Sequence, residues 1–394
     1  MPADRAFRWT LIVVAAATVI AMATLWPGER KDVLGAGLTA PTERAEISSV
    51  TEAQCPPPQS GTCTTARATL ETGPDTGETT SLTFGGGAPV PDFAVGAGIR
   101  VAAAISPPAS ADTDLAPQAD RPLYNFVDFE RRAPMLWLAI AFAGLVILFG
   151  RLRGALSLLG LAASLLVVIF FIVPAILGGE APIAVALAGS MAVMLVTISL
   201  AHGLGPKSLA AMLGTTVSLA LVAALAVAFT DLTHLTGLAS EESAFLQVGG
   251  TSIDFKGLLV AGMLIGALGV LDDVTVSQAS TVLALRAANP ALGFGQLYRR
   301  AIDVGRDHVS ATVNTLVLAY VGTSLPVLVI FGSGGLGFFD AVNVELVARE
   351  IVGTLVGSIG LIAAVPITTA LAAVLARGVA GEPPEVEHAH AHAH

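Results

Sequence analysis

The stretch GLLVAGMLIGALGVLDDVTVSQAS, residues 257–280, decides the fold of this chain. It is apolar enough to form a membrane helix, yet it carries two adjacent aspartates, Asp272 and Asp273. Because successive helical residues are turned by about 100°, small residues and one aspartate fall on a single narrow stripe. The members of this stripe are Gly262, Gly266, Gly269, Asp273, Ser277 and Ser280. The sequence therefore predicts a membrane helix with one face of small and polar residues.

This stripe predicts a polar path between packed helices. Small residues let a neighbouring helix approach closely, so we expect the stripe to face protein, with Asp272 pointing about 100° away from it. A carboxylate in such a seam is costly and usually pairs, stays protonated or serves a pathway, so Asp273 is a candidate functional residue. The alternative is a hydrated carboxylate at the far interface, because Lys256 to Asp272 spans only about 24 Å against a hydrocarbon core of about 30 Å.

The composition is that of an integral membrane protein. Of 394 residues, 54% are hydrophobic and 13% are charged, whereas soluble domains contain about 25% charged residues. The net charge of -10 argues against a nucleic-acid partner. We therefore expect the lipid bilayer to be the main partner of the chain.

The first apolar segment predicts a signal-anchor helix over residues 1–26. Arg5 and Arg8 precede the apolar run, which favours a cytoplasmic N-terminus. A cleavable signal peptide is the alternative, because Ala21, Met22 and Ala23 have the small-x-small form. In both cases the residues that follow are exported.

Residues 27–132 predict a small exported all-β domain. Alternating or β-branched runs favour strands at 44–50, 64–71, 79–84 and 98–103, and a barrel or sandwich of the OB type. Cys55 and Cys63 predict a disulfide in an oxidising compartment. A metal site would need further ligands, and no nucleophile–base pair stands out. These features favour a docking or gating role for the domain.

Residues 133–377 predict a helical membrane domain, followed by a cytoplasmic His-rich tail at 378–394. With the first helix, we count about eight spans and place both termini inside; the later spans are expected at 134–149, 156–177, 181–200, 208–229, from 257, 309–331 and 351–375. The proposed inner segments hold half of the basic residues, as the positive-inside rule requires. They are Arg5, Arg8, Arg151, Arg153, Lys207, Arg286, Arg299, Arg300, Arg306 and Arg377.

Two later spans carry further candidate residues. Asn314 lies within an apolar run and needs an amide partner or water, by default as a structural hydrogen bond. Gly353 and Gly357 repeat the small-residue spacing and predict a second close-packing face. The tail histidines suit weak binding of a transition metal, but a disordered tail is the favoured interpretation, so no metal site is predicted.

Three segments resemble the YibE/F family of bacterial membrane proteins. They are GALGVLDDVTVSQAS at 266–280, VGRDHVSATVNTLVLAYVGTSLP at 304–326 and GTLVGSIGLIAAVPITT at 353–369. The resemblance covers residues 124–375 and implies an anchor helix, an exported domain and a helical bundle in the bacterial plasma membrane. It also implies a permease, but it carries over no substrate.

Two function classes follow from these observations. The first is a permease for an unknown ion or small molecule, in which Asp273, with Asp272, Ser277 and Asn314, lines a polar path for a cation or proton. The second is a non-transporting receptor or assembly factor whose exported domain binds an envelope protein. An intramembrane aspartyl protease is disfavoured because Asp272 and Asp273 point apart, and no His-Glu zinc motif is present. We therefore predict neither enzymatic activity nor a cofactor.

Overall fold

The computed structural model describes residues 2–28, 41–55, 61–85, 90–103, 124–248, 253–335 and 337–376. The predicted tail at 378–394 lies outside the described residues. The chain divides into two compact units, one formed by Met1–Val33 with Val146–His394 and the other by Leu34–Leu145.

The described residues form eleven helices. They are α1 (Pro2–Thr24), α2 (Arg132–Val167), α3 (Val173–Gly178), α4 (Pro182–His202), α5 (Pro206–Leu232), α6 (Glu241–Val248), α7 (Phe255–Ala288), α8 (Phe294–Thr323), α9 (Leu325–Ser333), α10 (Phe338–Asn343) and α11 (Glu345–Ala376), with a π-helical turn (Val168–Ile172) after α2. Six helical segments are long and apolar enough to cross a membrane, or seven if α8 and α9, bent by 60°, form one span. This confirms the predicted mostly helical architecture with several long apolar helices, whose length and composition suit a membrane-embedded protein.

Helices α5, α7 and α11 form the centre of the bundle. The most apolar stretches of α7 and α11 are each 56% buried, against 6% for α1. The interior between them is aliphatic and includes Leu219, Leu264 and Val356. By contrast, α1 exposes large apolar side chains such as Trp9, as a helix that faces lipid does.

Side-chain contacts fix the directions in which the helices run. Helices α4 and α7 are parallel, because Pro182 lies against Gly257 and Thr197 contacts Asp272 further along both helices. Helix α11 is parallel to α7, because Gly353 lies near Met263 and the later residue Thr369 contacts Gln278. Helix α8 is antiparallel to α7, because its later residue Tyr320 lies over Gly266 and its earlier residue His308 contacts Ser277. Helices α4, α7 and α11 therefore share one direction, and α8 has the opposite one.

Glycines bring α5 and α11 into close contact. A Cβ on Gly214 would collide with the Thr368 hydroxyl, and a Cβ on Gly360 would collide with Val222. Since Gly214 precedes Val222 while Thr368 follows Gly360, α5 and α11 are antiparallel. Both contacts need a residue without a side chain. Because small residues let helix backbones approach closely, these two glycines allow α5 and α11 to pack tightly.

The predicted stripe on α7 does not pack in this way. Gly262 and Gly269 are exposed, and no described atom lies within 4 Å of a Cβ built on either residue. A Cβ on Gly266 meets only the Tyr320 hydroxyl, at 3.3 Å. The prediction that Gly262 and Gly269 pack against another helix is therefore wrong among the described residues, because α7 turns its Leu and Val faces toward the bundle centre instead, whereas Gly266 does face α8.

The predicted packing face on α11 does make helix contacts. A Cβ on Gly353 would lie 3.6 Å from Met263 of α7, and one on Gly357 would lie 3.7 Å from Leu316 of α8. These are ordinary van der Waals distances. Gly353 and Gly357 thus lie in helix contacts, but they leave room for a methyl group.

The second unit contains a five-stranded antiparallel sheet. Its strands are β1 (Thr42–Gln54), β2 (Thr62–Leu70), β3 (Thr79–Phe84), β4 (Gly98–Ala103) and β5 (Tyr124–Phe129), in the spatial order β3-β2-β1-β4-β5. The four predicted strands correspond to β1 to β4. The fifth strand, β5, was not predicted.

The sheet curls into a half-barrel. A bulge between Ile47 and Ser49 bends β1, which pairs with β2 and β4 on its two sides. Phe84 on one edge strand and Phe126 on the other come together, with ring centroids 5.7 Å apart, and Phe93 lies 5.0 and 5.3 Å from them. The all-β prediction is confirmed, whereas the OB type remains a prediction.

A disulfide joins the end of β1 to the start of β2. Cys55 and Cys63 are bonded, as the sequence predicts. Gly85 lies against this bond with a φ of +156°, and a Cβ there would collide with the Cys63 sulfur. Both the backbone conformation and the contact therefore require glycine.

The helix contacts predict which glycines tolerate substitution. We expect Gly214→Ala and Gly360→Ala to lower the free energy of unfolding by about 1–3 kcal/mol, because the added methyl group has no space. Gly262→Ala and Gly269→Ala should be neutral or stabilising by up to about 1 kcal/mol, since alanine favours a helix and the space is open. Thermal unfolding of the purified full chain in detergent measures this difference. Equal losses at all four positions would contradict the assigned contacts.

The half-barrel predicts a pH-dependent contribution from Tyr124. Its buried hydroxyl donates a hydrogen bond of 2.5 Å to Asp75, and this bond, burial and nearby carboxylates raise the pKa of Tyr124 from 10.0 to about 12. The stabilisation is complete below the unfolded value of 10.0 and is lost as pH rises through about 12. The thermal stability of the wild-type protein should therefore fall as pH rises between these two pKa values. The Tyr124→Phe variant should be less stable than wild type at lower pH and should not show this pH-dependent loss. Ultraviolet titration of the phenolate in both proteins locates the transition, and identical titrations would exclude the assignment.

Candidate functional site

Asp272 is a half-buried carboxylate where α7 meets α4. Its Oδ2 accepts a hydrogen bond from the Thr197 hydroxyl, with an oxygen–oxygen distance of 3.1 Å. The single hydrogen of that hydroxyl is also within reach of the Val193 carbonyl, at 2.9 Å. Oδ1 is buried and has no hydrogen-bond partner among the described residues. Because an ionised carboxylate offers about four acceptor sites, this one has far fewer donors than it can use.

A cavity of about 420 Å³ lies beside Asp272, between α2, the π-helical turn, α4 and α7. The polar residues that line it are Ser157 and Ser164 of α2, Ser190, Thr197 and His202 of α4, and Asp272 and Asp273 of α7. Its remaining walls are aliphatic side chains and glycines, among them Gly160, which lies against Thr197. A cavity of this size and polarity has room for several water molecules.

The structure brings together two of the four residues predicted to line a polar path. Asp272 and Asp273 both line the cavity, but Asp272 is the half-buried one and Asp273 is exposed. The expected burial of Asp273 is therefore wrong, because α7 turns its Asp272 side toward α4. Ser277 lies one turn further on, with its hydroxyl 3.5 Å from Nε2 of His308. Asn314 is exposed on α8 and is not part of the cavity wall.

A buried polar layer on α7 was missed by the sequence analysis. The Thr275 and Thr215 hydroxyls, both fully buried, are 2.7 Å apart between α7 and α5. The Gln278 amide donates to the Ala301 carbonyl of α8 at 2.9 Å and to the Thr369 hydroxyl of α11 at 2.7 Å. A Thr and a Gln within an apolar helix were the available signal, since such groups need partners in neighbouring helices. These bonds hold α7 against three helices, while its Asp272 side opens to the cavity.

A second cavity, of about 330 Å³, lies near the starts of α7 and α11. Its charged and phenolic lining residues are Glu242, Tyr320, Arg349 and Glu350. Gly262 borders this cavity and Gly269 borders the first one, about 10 Å apart along α7. Between them the Tyr320 hydroxyl lies over Gly266. The exposed glycine face of α7 thus borders one cavity at Gly262 and the other at Gly269, and the Tyr320 hydroxyl lies over Gly266 between them.

Ion pairs in the helical unit lie away from Asp272. They join Lys256 to Asp231, Arg306 to Asp303 and Arg349 to Glu350. In the part of the chain that the structure describes, no basic side chain pairs with Asp272, and no group of three or more His, Cys, Asp or Glu residues is arranged to hold a metal ion. The Asp272 charge is therefore not neutralised by a described side chain.

The comparisons with known proteins agree with the resemblance noted in the sequence. The family model of YibE/F-like proteins matches residues 138–378. No curated protein and no solved structure matches the chain. The matched residues include most of α2, all of α4 to α11, both cavities and both aspartates. The chain thus belongs to the YibE/F family.

Proposed function

We propose that the protein is a permease of the bacterial plasma membrane, which moves an ion or small solute through its helical bundle past Asp272. The observation that carries the proposal is the buried, unpaired Oδ1 of Asp272 on the wall of a cavity. An ionisable group within a membrane helix is expensive, and where it persists without a basic partner it commonly marks a substrate or ion path. Asp272 takes over the role that the sequence favours for Asp273, because it is the carboxylate that α4 and α7 enclose.

We infer eight spans for this permease, with both termini in the cytoplasm. Arg151 interrupts α2 with a φ of 51°, and Gly154 lies directly against the Val146 carbonyl, so the chain turns back at this point. The halves of α2, the bent pair α8–α9 and the five other long helices then give eight crossings. The alternating helix directions support this count, since α4, α7 and α11 oppose α5 and α8.

The charges at the helix ends support the proposed orientation. Arg8, at the start of α1, borders the same small cavity as Gly205 and Met212 at the start of α5. Lys207 lies in the first turn of α5. Arg286 lies in the last turn of α7, which runs toward the same side of the bundle. Basic residues thus collect at the end of the bundle that the positive-inside rule assigns to the cytoplasm.

The two cavities support a path along α7. One is lined by the two aspartates and the other by Glu242, Arg349 and Glu350, so each end of the exposed glycine face borders a cavity with charged side chains in its wall. A solute that passes between them must pass Tyr320, whose hydroxyl lies over Gly266. Secondary transporters commonly place their binding site at such a depth, between chambers that open to opposite sides.

We expect Asp272→Asn to lower transport by about tenfold or more, which corresponds to at least ~1.4 kcal/mol of added barrier. The substitution keeps the size of the side chain but removes the charge that faces the cavity. The test uses full-length protein in liposomes, with dye-reported ion flux and uptake of a panel of radiolabelled cations and small solutes. Asp273→Asn is the matched control, and because Asp273 is exposed we expect its effect to be smaller.

Two results would count against the permease. One is flux at the level of empty liposomes for wild-type protein across the whole panel. The other is a cellular phenotype that survives Asp272→Asn but disappears when residues 55–103 are deleted. That pattern would instead favour a receptor or assembly factor that acts through its half-barrel.

A further inference from the structure

Two buried oxygens without hydrogen-bond partners line the same cavity. Ser190 of α4 is 1% exposed, and its hydroxyl has no partner among the described residues. The same holds for Oδ1 of Asp272, which belongs to α7. Other buried hydroxyls of the bundle, such as that of Ser218, also lack a described partner, but these two oxygens border a cavity that has room for water or a ligand to supply the bond.

Neighbouring hydroxyls on the same wall behave differently. Ser164 donates to the Gly160 carbonyl at 2.9 Å, and Thr197 donates within α4 or to Asp272. Within a membrane helix, such a bond to the preceding turn is the usual way to satisfy a hydroxyl. Ser190 makes no such bond, and its hydrogen is free for a partner in the cavity.

The unpaired oxygens are too far apart to hold one metal ion together. Thr197 lies beside Asp272, and Ser190 precedes Thr197 by two helical turns on the same face of α4, about 10 Å along its axis. A metal cation needs several oxygens at about 2.0–2.6 Å from one point. A proton needs only one oxygen at a time, and a chain of water can carry it across such a distance.

The titratable groups that line the cavity form a series along it. His202 is exposed at the end of α4, Asp273 is exposed on α7, and Asp272 is enclosed. Lys207 on α5 and Arg153 on α2 place positive charge near His202. A series of His, Asp and hydroxyl groups beside a membrane helix is typical of proton relays.

We propose that this cavity is a proton path, in which Asp272 binds the proton and Ser190 orders the water that continues the path, so that transport is coupled to protons. The proposal rests on the permease function inferred above and names its coupling ion. On binding, an O–H bond forms at Oδ1 of Asp272 while an O–H bond of the adjacent hydronium breaks, and release is the reverse transfer to water. Protonation also removes the buried charge, which no described side chain neutralises.

Infrared difference spectroscopy between acidic and alkaline buffers tests this proposal on the full-length protein in liposomes. We expect a carboxyl C=O band that titrates reversibly, shifts in heavy water, disappears in Asp272→Asn and remains in Asp273→Asn. Ser190→Ala should shift the frequency or the titration midpoint of this band. Ser164→Ala is the matched control and should leave the band unchanged, because that hydroxyl is already bonded within α2.

Thermal unfolding of the same variants separates a role in the path from a role in folding. Removing the unpaired Ser190 hydroxyl should leave the midpoint unchanged or raise it, since no hydrogen bond within the protein is lost. An altered carboxyl band in a protein of undiminished stability would therefore support the path. A Ser190→Ala band identical to the wild-type band would overturn the role of Ser190.

The remaining outcomes distinguish the proton path from the permease. A band that persists in Asp272→Asn, or that added sodium removes at constant pH, would overturn proton binding at Asp272. If transport falls in Asp272→Asn but no titrating band exists, the proton path is wrong and the permease stands. If the band is present but no flux occurs, the proton site stands and the permease is wrong.

Discussion

The helical bundle encloses one carboxylate, that of Asp272, whose buried Oδ1 has no hydrogen-bond partner among the described residues. This carboxylate lies where α4 and α7 meet, and from the described residues it accepts at most one hydrogen bond, from a Thr197 hydroxyl whose only hydrogen is also within reach of a backbone carbonyl. A charge that is enclosed in this way is not tolerated unless something compensates for it. The cavity beside it is lined by further polar groups, among them Ser190 and, at its end, the exposed His202.

Both aspartates of α7 line the cavity, but the sequence predicts that Asp273 is the enclosed one, whereas the structure encloses Asp272. The helical repeat correctly separates Asp272 from Asp273, yet it cannot show which of them turns inward. In a soluble protein the apolar face would decide the question, but in a membrane both faces of a helix contact apolar surroundings. Small residues therefore predict the packing face, whereas α7 packs through Leu and Val and through Thr275 and Gln278.

Other parts of the fold were more predictable, for reasons of local chemistry. Strands β1 to β4 alternate clearly between faces, and the Cys55–Cys63 pair lies at the end of one and the start of the next. Strand β5 was missed although Tyr124, Phe126 and Val127 are residue types that favour a strand; in the structure it pairs with β4, and Phe126 makes ring contacts. Likewise, α8 begins at Phe294, well before its apolar part, since its first turns pack through Leu297 and Ala301.

The glycine contacts between α5 and α11 also limit how the bundle can move. Thr368 occupies the space that Gly214 leaves, and Val222 occupies the space that Gly360 leaves, about two turns apart. A slide of one helix along the other by a single residue, about 1.5 Å, would push these side chains into helix backbone. Shear between α5 and α11 is therefore blocked, and the pair acts as a rigid frame against which any other helix must shift.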